Sequence, residues 1–539
     1  MIANPAPLLS SMLVGQIRGI ARVVRNAELA PLVGTGISLR AGLPDWIQLI
    51  TRMVLAWREW DPSDVARRLS QGNYAGLVDQ AFGFSNLATV SYLRSRIDAA
   101  GDSGAFQGLG QLLYSALYSR QRRSEDLFTP DPDHVHRHLV ALFAQRPRRL
   151  WTTNYDDLLE EAARRAGIPV RTLDPDRRQV NNDLLVAHLH GFLAPPDRSA
   201  GNPKPGQATV VLAEDDYHAI AADLIGWTNR ELYRLFDEHR VLVLGMSLAD
   251  PNLRRVLATV PCDKTGLQPR HFALMRSITE EDMKLWRTRA TTRKSSAAWV
   301  NESRSWYWQR HGIEIVEIPD YDSILPFLVR LRYESFGGQP GDLWRRGAEL
   351  GYESVDPWRA DRQKMASWFL ADAVRALADD FSVSDPAEVI EIGVFLLKPD
   401  AATLELTFRG GGTDIASQGA TLFSGDPDKP TGVAGRVFVS GDLVRVTPDH
   451  SLYNYGLDPS NAPLPQNVKG IISAPITDWH EGGIPLGVVY VTTSTGNGTL
   501  FRLRPRVEVE PSERSLDDLY AWLSEVGMTL ISGFRVRAR

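Results

Sequence analysis

At 539 residues the chain is too long for one hydrophobic core, so two or three domains are expected. Apolar residues make up 43% and charged residues 23%, a globular composition that argues against extensive disorder. The net charge of -5 gives no general attraction to nucleic acid or to an anionic membrane, and the single cysteine, Cys262, excludes a disulfide framework and a multi-cysteine zinc site.

The first two dozen residues, MIANPAPLLSSMLVGQIRGIARVV, lack a basic leader followed by a long apolar run. No stretch reaches the apolar length that spans a bilayer, so the expectation is a cytoplasmic protein with no membrane and no clear nucleic-acid partner. Short apolar runs then recur between helical patterns: APLV (30–33), RLWT (149–152), LLVAHL (184–189), VLVLG (241–245), FALM (272–275) and IEIVEI (313–318). Continuous Val, Ile and Leu mark strands covered on both faces. The alternation predicts an α/β, Rossmann-like parallel sheet that binds ligands at the carboxyl ends of its strands. Residues 49–145 are helical in pattern and predict an insertion over the cleft. Glycine and proline cluster at 334–344, marking a boundary. Beyond Phe381 the runs VIEIGVFLL, ATLELTF, LVRVTP, GIISAPIT and LGVVYVTT are divided by turn residues and closed by an amphipathic helix carrying Leu516, Leu519, Trp522, Leu523 and Val526. They predict a separate α+β domain with a central antiparallel sheet.

Four turns follow candidate strands of the first region. LVGTGISLRAGLPDW (32–46) brings Gly34, Thr35, Gly36 and Ser38, with Asp45 just beyond; a Gly-x-Gly lets backbone approach a pyrophosphate, although the third glycine of a full dinucleotide fingerprint is missing. WTTNYDDLLE brings Asn154 and Asp156, AHLHGF brings His190 and Gly191, and VLVLGMSLADPNLRRVL brings Gly245, Ser247 and Asp250. Singly, each fits a helix cap or a structural strand end. Together they fall on one rim, because a parallel sheet delivers all its carboxyl ends to the same side.

This ordered set resembles the sirtuins, and more closely the sirtuin-like domains of bacterial antiphage NAD hydrolases, over residues 17–333. GTGIS with AGLPDW is similar to the sirtuin glycine-rich loop, with Thr35 where alanine is usual; TTNYD resembles Thr-Gln-Asn-x-Asp, with Thr153 replacing glutamine; HLHG resembles the catalytic-histidine segment; VVLAEDDYHAI (210–220) resembles an extension of the bacterial subgroup. The resemblance implies NAD as substrate, with no metal. It gives Asn154 the orientation of the nicotinamide ribose and attacking water, and His190 the role of general base. Asp156 would hold the nicotinamide carboxamide; Gly34, Thr35, Gly36 and Ser38 would line the dinucleotide loop. Gly245 and Ser247 would lie beside ribose and phosphate, and Asp45 in a loop over the nicotinamide pocket. Breaking the nicotinamide–ribose bond releases a neutral leaving group, so a fixed sugar, a poised base and a dry pocket suffice.

Deacylating sirtuins carry a four-cysteine zinc module that this chain cannot build. His134, His136 and His138 offer no completed metal set and read as surface histidines at a helix start. The region 431–493, with TGVAGRVFVSGD, GIISAPITDW and IPLGVVYVTTS, resembles a GAF domain over residues 366–534, after a linker at 334–365. That resemblance implies a small-molecule signal or a phage-derived activator as partner, with Tyr453, Tyr455 and Trp479 as candidate pocket residues, and a homo-oligomer. The expected function is an NAD glycohydrolase releasing nicotinamide and ADP-ribose, an antiphage effector controlled by its C-terminal domain. The alternatives are an NAD-dependent deacylase or ADP-ribosyl transferase, and a non-catalytic NAD- or ADP-ribose-sensing regulator.

Overall fold

The computed structural model describes residues 9–57, 86–100, 106–118, 128–174, 183–198, 204–259, 271–286, 297–337, 339, 341–383, 388, 390–400, 402–411, 422–446, 470–495, 498–504 and 514–536. Cys262, Tyr453 and Tyr455 lie outside the described residues. The chain divides into two units, one spanning Asn26–Tyr321 and the other combining Met1–Arg25 with Asp322–Arg539.

The first described helix, α1 (Ser11–Arg25), turns Leu13, Ile17, Ile20, Ala21 and Val23 inward along one stripe. By its contacts it groups with the second unit, although its last residue lies only a few positions before the first strand of the other.

In the unit 26–321, strands β1 (Leu29–Val33), β2 (Arg149–Thr152), β3 (Val170–Leu173), β4 (Leu184–His188), β5 (Arg240–Leu244), β6 (His271–Arg276) and β7 (Ile313–Ile318) form one sheet in the order β3-β4-β2-β1-β5-β6-β7. Every pairing is parallel. The strand order reverses around β1, the topological position at which open α/β sheets take ligands beyond their strand ends. Strands β1, β2 and β4 are buried along their whole length, which is why they read as unbroken apolar runs.

Among the described residues, four helices, α2 (Trp46–Trp57), α3 (Asn86–Ala100), α4 (Leu109–Tyr118) and α5 (His134–Phe143), stand between β1 and β2. Leu49, Met53, Val90, Leu112 and Leu113 from this group share a core with Tyr155, Leu158, Leu193 and Leu212, which follow β2 and β4. The helical layer thus packs on the segments leaving the carboxyl ends of the strands. In the chain, helix α6 (Leu158–Arg165) follows β2, α7 (Glu214–Ala222) and α8 (Trp227–Glu238) follow β4, and α9 (Pro251–Thr259) follows β5.

The second unit is built on a six-stranded antiparallel sheet of β8 (Ile390–Leu397), β9 (Thr403–Gly411), β10 (Leu422–Ser424), β11 (Val444–Val446), β12 (Gly470–Asp478) and β13 (Ile484–Thr493), ordered β10-β9-β8-β13-β12-β11. Helices α10 (Ile324–Ser335), α11 (Ala360–Asp380), α12 (Gly432–Ser440) and α13 (Leu516–Val536) accompany it. Its core includes Leu370, Ile392, Phe408, Phe438, Ile472, Val489 and Ile531. Among the described residues no helix is long and apolar enough to cross a membrane.

Candidate active site

The glycines of the first turn are required by backbone packing. After β1 the chain enters a short 3-10 turn, Thr35–Ile37, which lies against the turn after β5. The Gly34 and Gly36 N–H groups donate to the carbonyls of Leu244 (2.9 Å) and Gly245 (2.8 Å). A Cβ at Gly34 would stand 2.5 Å from Met246 Cβ, and one at Gly36 2.8 Å from Gly245 Cα. Gly245 itself adopts φ +66°, a left-handed conformation natural to glycine. Two glycine turns therefore interlock, and the Gly34 and Gly36 N–H groups bond the last residue of β5 and the first residue of the turn after it.

Thr152 and His188 are register partners at the ends of β2 and β4. Two residues further along each strand come Asn154 and His190, 3% and 6% exposed. Both groups thus follow adjacent strands onto the same rim.

Asn154 is fixed from several directions. Its N–H donates to Thr152 Oγ1 (2.9 Å), whose own hydrogen goes to the Val33 carbonyl (3.0 Å). Its carbonyl lies 2.7 Å from His188 Nδ1, while His188 Nε2 lies 2.9 Å from Glu160 Oε1. Both nitrogens of that ring face acceptors, so both carry hydrogen. Burial opposes a charged His188, but Glu160 and the Asn154 carbonyl outweigh it and raise its pKa. The side-chain amide Nδ2 of Asn154 donates to Ser38 Oγ (3.1 Å). Its Oδ1 is buried and has no hydrogen-bond partner among the described residues. A buried amide oxygen left unpaired costs about 1–3 kcal/mol, so it points to a group that arrives with ligand or water.

Ser38, 1% exposed, joins the turn after β1 to the one after β2. Its hydroxyl donates to Asp156 Oδ2 (3.1 Å) and lies 3.4 Å from His136 Nε2. Asp156 Oδ1 accepts the Leu158 N–H (3.2 Å), opening α6. Burial raises the Asp156 pKa against the pull of His136 and these bonds.

His190 is oriented by Asp250, Nε2 to Oδ2 at 3.3 Å. Tyr217 donates to the same oxygen (3.2 Å) and sets its ring edge-on to the imidazole at 5.7 Å. The other Asp250 oxygen accepts the Leu253 N–H (2.8 Å) and caps α9. Burial works against ionisation of Asp250, but His190 and these bonds hold its pKa below the ordinary carboxylate value. Nε2 faces a carboxylate and therefore carries hydrogen, which leaves Nδ1 as the acceptor of the neutral ring. The segment 209–212 secures the same turn. Val211 N–H bonds the His190 carbonyl (2.9 Å), and Gly191, at φ +96°, passes so near Thr209 that a Cβ would meet its carbonyl oxygen at 2.1 Å.

Of the sequence-predicted residues, Ser38, Asn154 and Asp156 meet in one hydrogen-bonded cluster, and His190 stands on the adjacent strand end. Thr35 is half-buried at the rim, beside Gly34 and Gly36. Ser247 is exposed beyond β5. Asp45 serves as a helix cap: its Oδ1 accepts the Gln48 N–H (2.7 Å), and Gln48 Oε1 accepts the Asp45 N–H (3.1 Å). The histidines at 134–138 are corrected. His136 and His138 are buried at 0% and 6% exposure, because the start of α5 is packed inside the unit. Among the described residues no group of three His, Cys, Asp or Glu side chains could hold a metal ion.

The sequence reading gave no role to His136, His188, Glu160, Tyr217 or Asp250. A signal existed for two of them: Asp250 ends the Gly-x-Ser turn, and Tyr217 lies in the 210–220 stretch. His188 and Glu160 sit on a strand and a helix chosen for other reasons, and only coordinates join them.

Residues 148–293 match the SIR2-like domain family. The chain is 23% identical over 335 residues to the NAD(+) hydrolase ThsA of Enterococcus faecium, covering 59% of this chain and 57% of that protein. It is 24% identical over 202 residues to the NAD(+) hydrolase ThsA of Acinetobacter baumannii, covering 32% of this chain and 35% of that protein. The chain thus spans about half the length of the first relative and about a third of the second. The segment that matches the SIR2-like domain family is the one that delivers Asn154 and His190 to the rim of the seven-stranded parallel sheet.

Proposed function

We infer that this protein is an NAD glycohydrolase, cleaving NAD with water to nicotinamide, ADP-ribose and a proton. The observation that carries the reading is the buried, unpaired Asn154 Oδ1 on the same rim as an imidazole already oriented by a carboxylate. The names of the two ThsA relatives support it.

The C–N bond between nicotinamide and ribose breaks, and its electron pair leaves with the ring nitrogen, which becomes neutral. Asn154 Oδ1 accepts a hydrogen from a ribose hydroxyl or the attacking water and fixes its direction. As the water oxygen bonds the anomeric carbon, His190 Nδ1 takes its proton, and Asp250 stabilises the imidazolium formed. Asp156 and Ser38 hold the amide in place, and the half-buried Thr35–Gly36 turn and exposed Ser247 offer surface to the rest of the dinucleotide. NAD is the substrate here, and no step calls on a metal.

Unrestrained hydrolysis of NAD is toxic, so the enzyme requires control. The second unit is assigned that role, as a GAF-like sensor in an antiphage effector. The segments that resemble a GAF domain fall on α12, β12 and β13, a helix and two paired strands of one sheet, which is consistent with this reading.

Purified protein is incubated with NAD, alone and with extract of phage-infected cells, and the products are separated by chromatography. Equal amounts of nicotinamide and free ADP-ribose are expected. ADP-ribose joined to an acceptor would establish a transferase, and saturable binding without nicotinamide release would establish a sensor; either result overturns the hydrolase.

A further inference from the structure

The three groups around Ser38 Oγ set a hydrogen count that fixes more than geometry. A serine hydroxyl has one hydrogen and two lone pairs. Its neighbours are Asn154 Nδ2 at 3.1 Å, Asp156 Oδ2 at 3.1 Å and His136 Nε2 at 3.4 Å. The amide is a donor and takes one lone pair. The carboxylate is an acceptor and takes the single hydrogen. The second lone pair therefore faces His136 Nε2, and two lone pairs meet unless that nitrogen carries a hydrogen. The other ring nitrogen faces Asp133 twice: Nδ1 lies 2.6 Å from Asp133 Oδ1 and 3.3 Å from the Asp133 backbone N–H of the capping box. The shorter contact sets a ring nitrogen against a carboxylate oxygen and is bonding only when Nδ1 carries hydrogen; the Asp133 pKa, despite burial, is held down chiefly by His136.

We propose that His136 is a buried imidazolium which, through Ser38, holds the Asn154 amide with its free oxygen turned toward the substrate. His136 and Ser38 are positioning residues, since neither is placed against the reacting atoms. The cluster is buried: Ser38, His136, Asn154 and Asp156 are 1%, 0%, 3% and 6% exposed. The proton is stabilised by Asp133 on one side and Asp156 on the other. Opposing it are burial, Arg40 and His188, whose charges act on the two flanking carboxylates, and His134, Arg137 and His138 on the same helix. Without that proton, Ser38 has one hydrogen for two acceptors. It turns from Asp156 to the neutral ring, and the buried carboxylate loses its donor. The set that aims Asn154 then loosens.

Asp156→Asn separates this role from a merely structural one. An amide at 156 supplies its own N–H to Ser38, which then gives its hydrogen to a neutral His136, so the cluster is satisfied without the extra proton. The functional half of the proposal rests on the hydrolase reading; the protonation half does not.

The full-length protein is labelled with 15N-histidine, and ring-nitrogen shifts are followed against pH in wild type and Asp156→Asn. His136 is assigned by the signal lost in His136→Gln. The expected result is two protonated ring nitrogens on His136 at neutral pH in wild type, and one in Asp156→Asn. An unprotonated Nε2 in folded wild type at neutral pH overturns the proposal, whether or not the protein cleaves NAD.

In the pH profile of nicotinamide release, wild type is expected to fall on an alkaline limb that disappears in Asp156→Asn. His136→Gln and Ser38→Ala are expected to lower kcat about 10- to 100-fold with KM within about twofold. Retention of the alkaline limb in Asp156→Asn, or wild-type kcat in a folded His136→Gln, refutes the positioning role and leaves the hydrolase reading standing.

Discussion

Around Asn154 the side chains divide into those that hold its backbone and those that aim its amide, and substitution separates the two. The His188–Glu160 pair holds the backbone. The folded pKa of His188 is raised above the ordinary 6.5, so the pair's stabilisation is complete below that value and is lost as pH rises through the raised one. Glu160→Gln keeps a hydrogen-bond acceptor but leaves the buried charge alone. It is expected to lower stability by about 3 kcal/mol on the acid side, judged from buried pairs that lose one partner. It also flattens the decline of thermal stability above pH 6.5, as scanning calorimetry across pH will read. The same logic gives Asp250 the opposite sign, because its folded pKa is depressed. Its contribution is present at neutral pH and is lost as acid is added. Asp250→Asn removes the partner that selects the His190 tautomer, and kcat for nicotinamide release is expected to fall about 10²–10⁴-fold with KM little changed.

The elements most legible from sequence were those buried on both sides. RLWT and IEIVEI coincide with β2 and β7, and APLV, LLVAHL, VLVLG and FALM fall within a residue of β1, β4, β5 and β6. The strands that escaped notice, β3 and β10, are short edge strands. In β3 the residues Val170, Arg171 and Thr172 are half-exposed and only Leu173 is buried, so the sequence carries no apolar run to find. The site was legible as four separate turns, because strand ends announce themselves with Gly, Asn and His. Its wiring was not, since Ser38 to Asn154 and His190 to Asp250 are contacts across 116 and 60 residues of chain. The interlocked glycine turns give a prediction at this scale. Gly245→Ala adds a Cβ 2.8 Å from Ile37 N at a left-handed backbone position. The cost is about 2–4 kcal/mol from overpacking and strain, read as a fall in melting temperature.

For the whole molecule, the chain divides by its contacts after Arg25 and after Tyr321. Helices α1 and α10 both group with the second unit. Arg18 pairs with Glu334 at 3.1 Å, Arg25 donates to the Glu334 carbonyl, and Arg330 bridges Glu334 and Asp428. Leu325, Phe327, Leu328 and Leu331 of α10 are buried throughout. A fragment spanning 17–333 carries these two helices away from their unit and exposes their apolar faces, whereas 26–321 leaves them behind. The shorter fragment is expected to be the more soluble and monomeric by size-exclusion chromatography. The account turns on Asn154 and His190 acting on one bound dinucleotide, and its most direct test is the rate of nicotinamide release by full-length wild type, Asn154→Ala and His190→Ala. Activated wild type is predicted to release nicotinamide, and each folded variant to do so at least about 10²-fold more slowly. Wild-type rates in either variant would place the chemistry elsewhere and contradict the account.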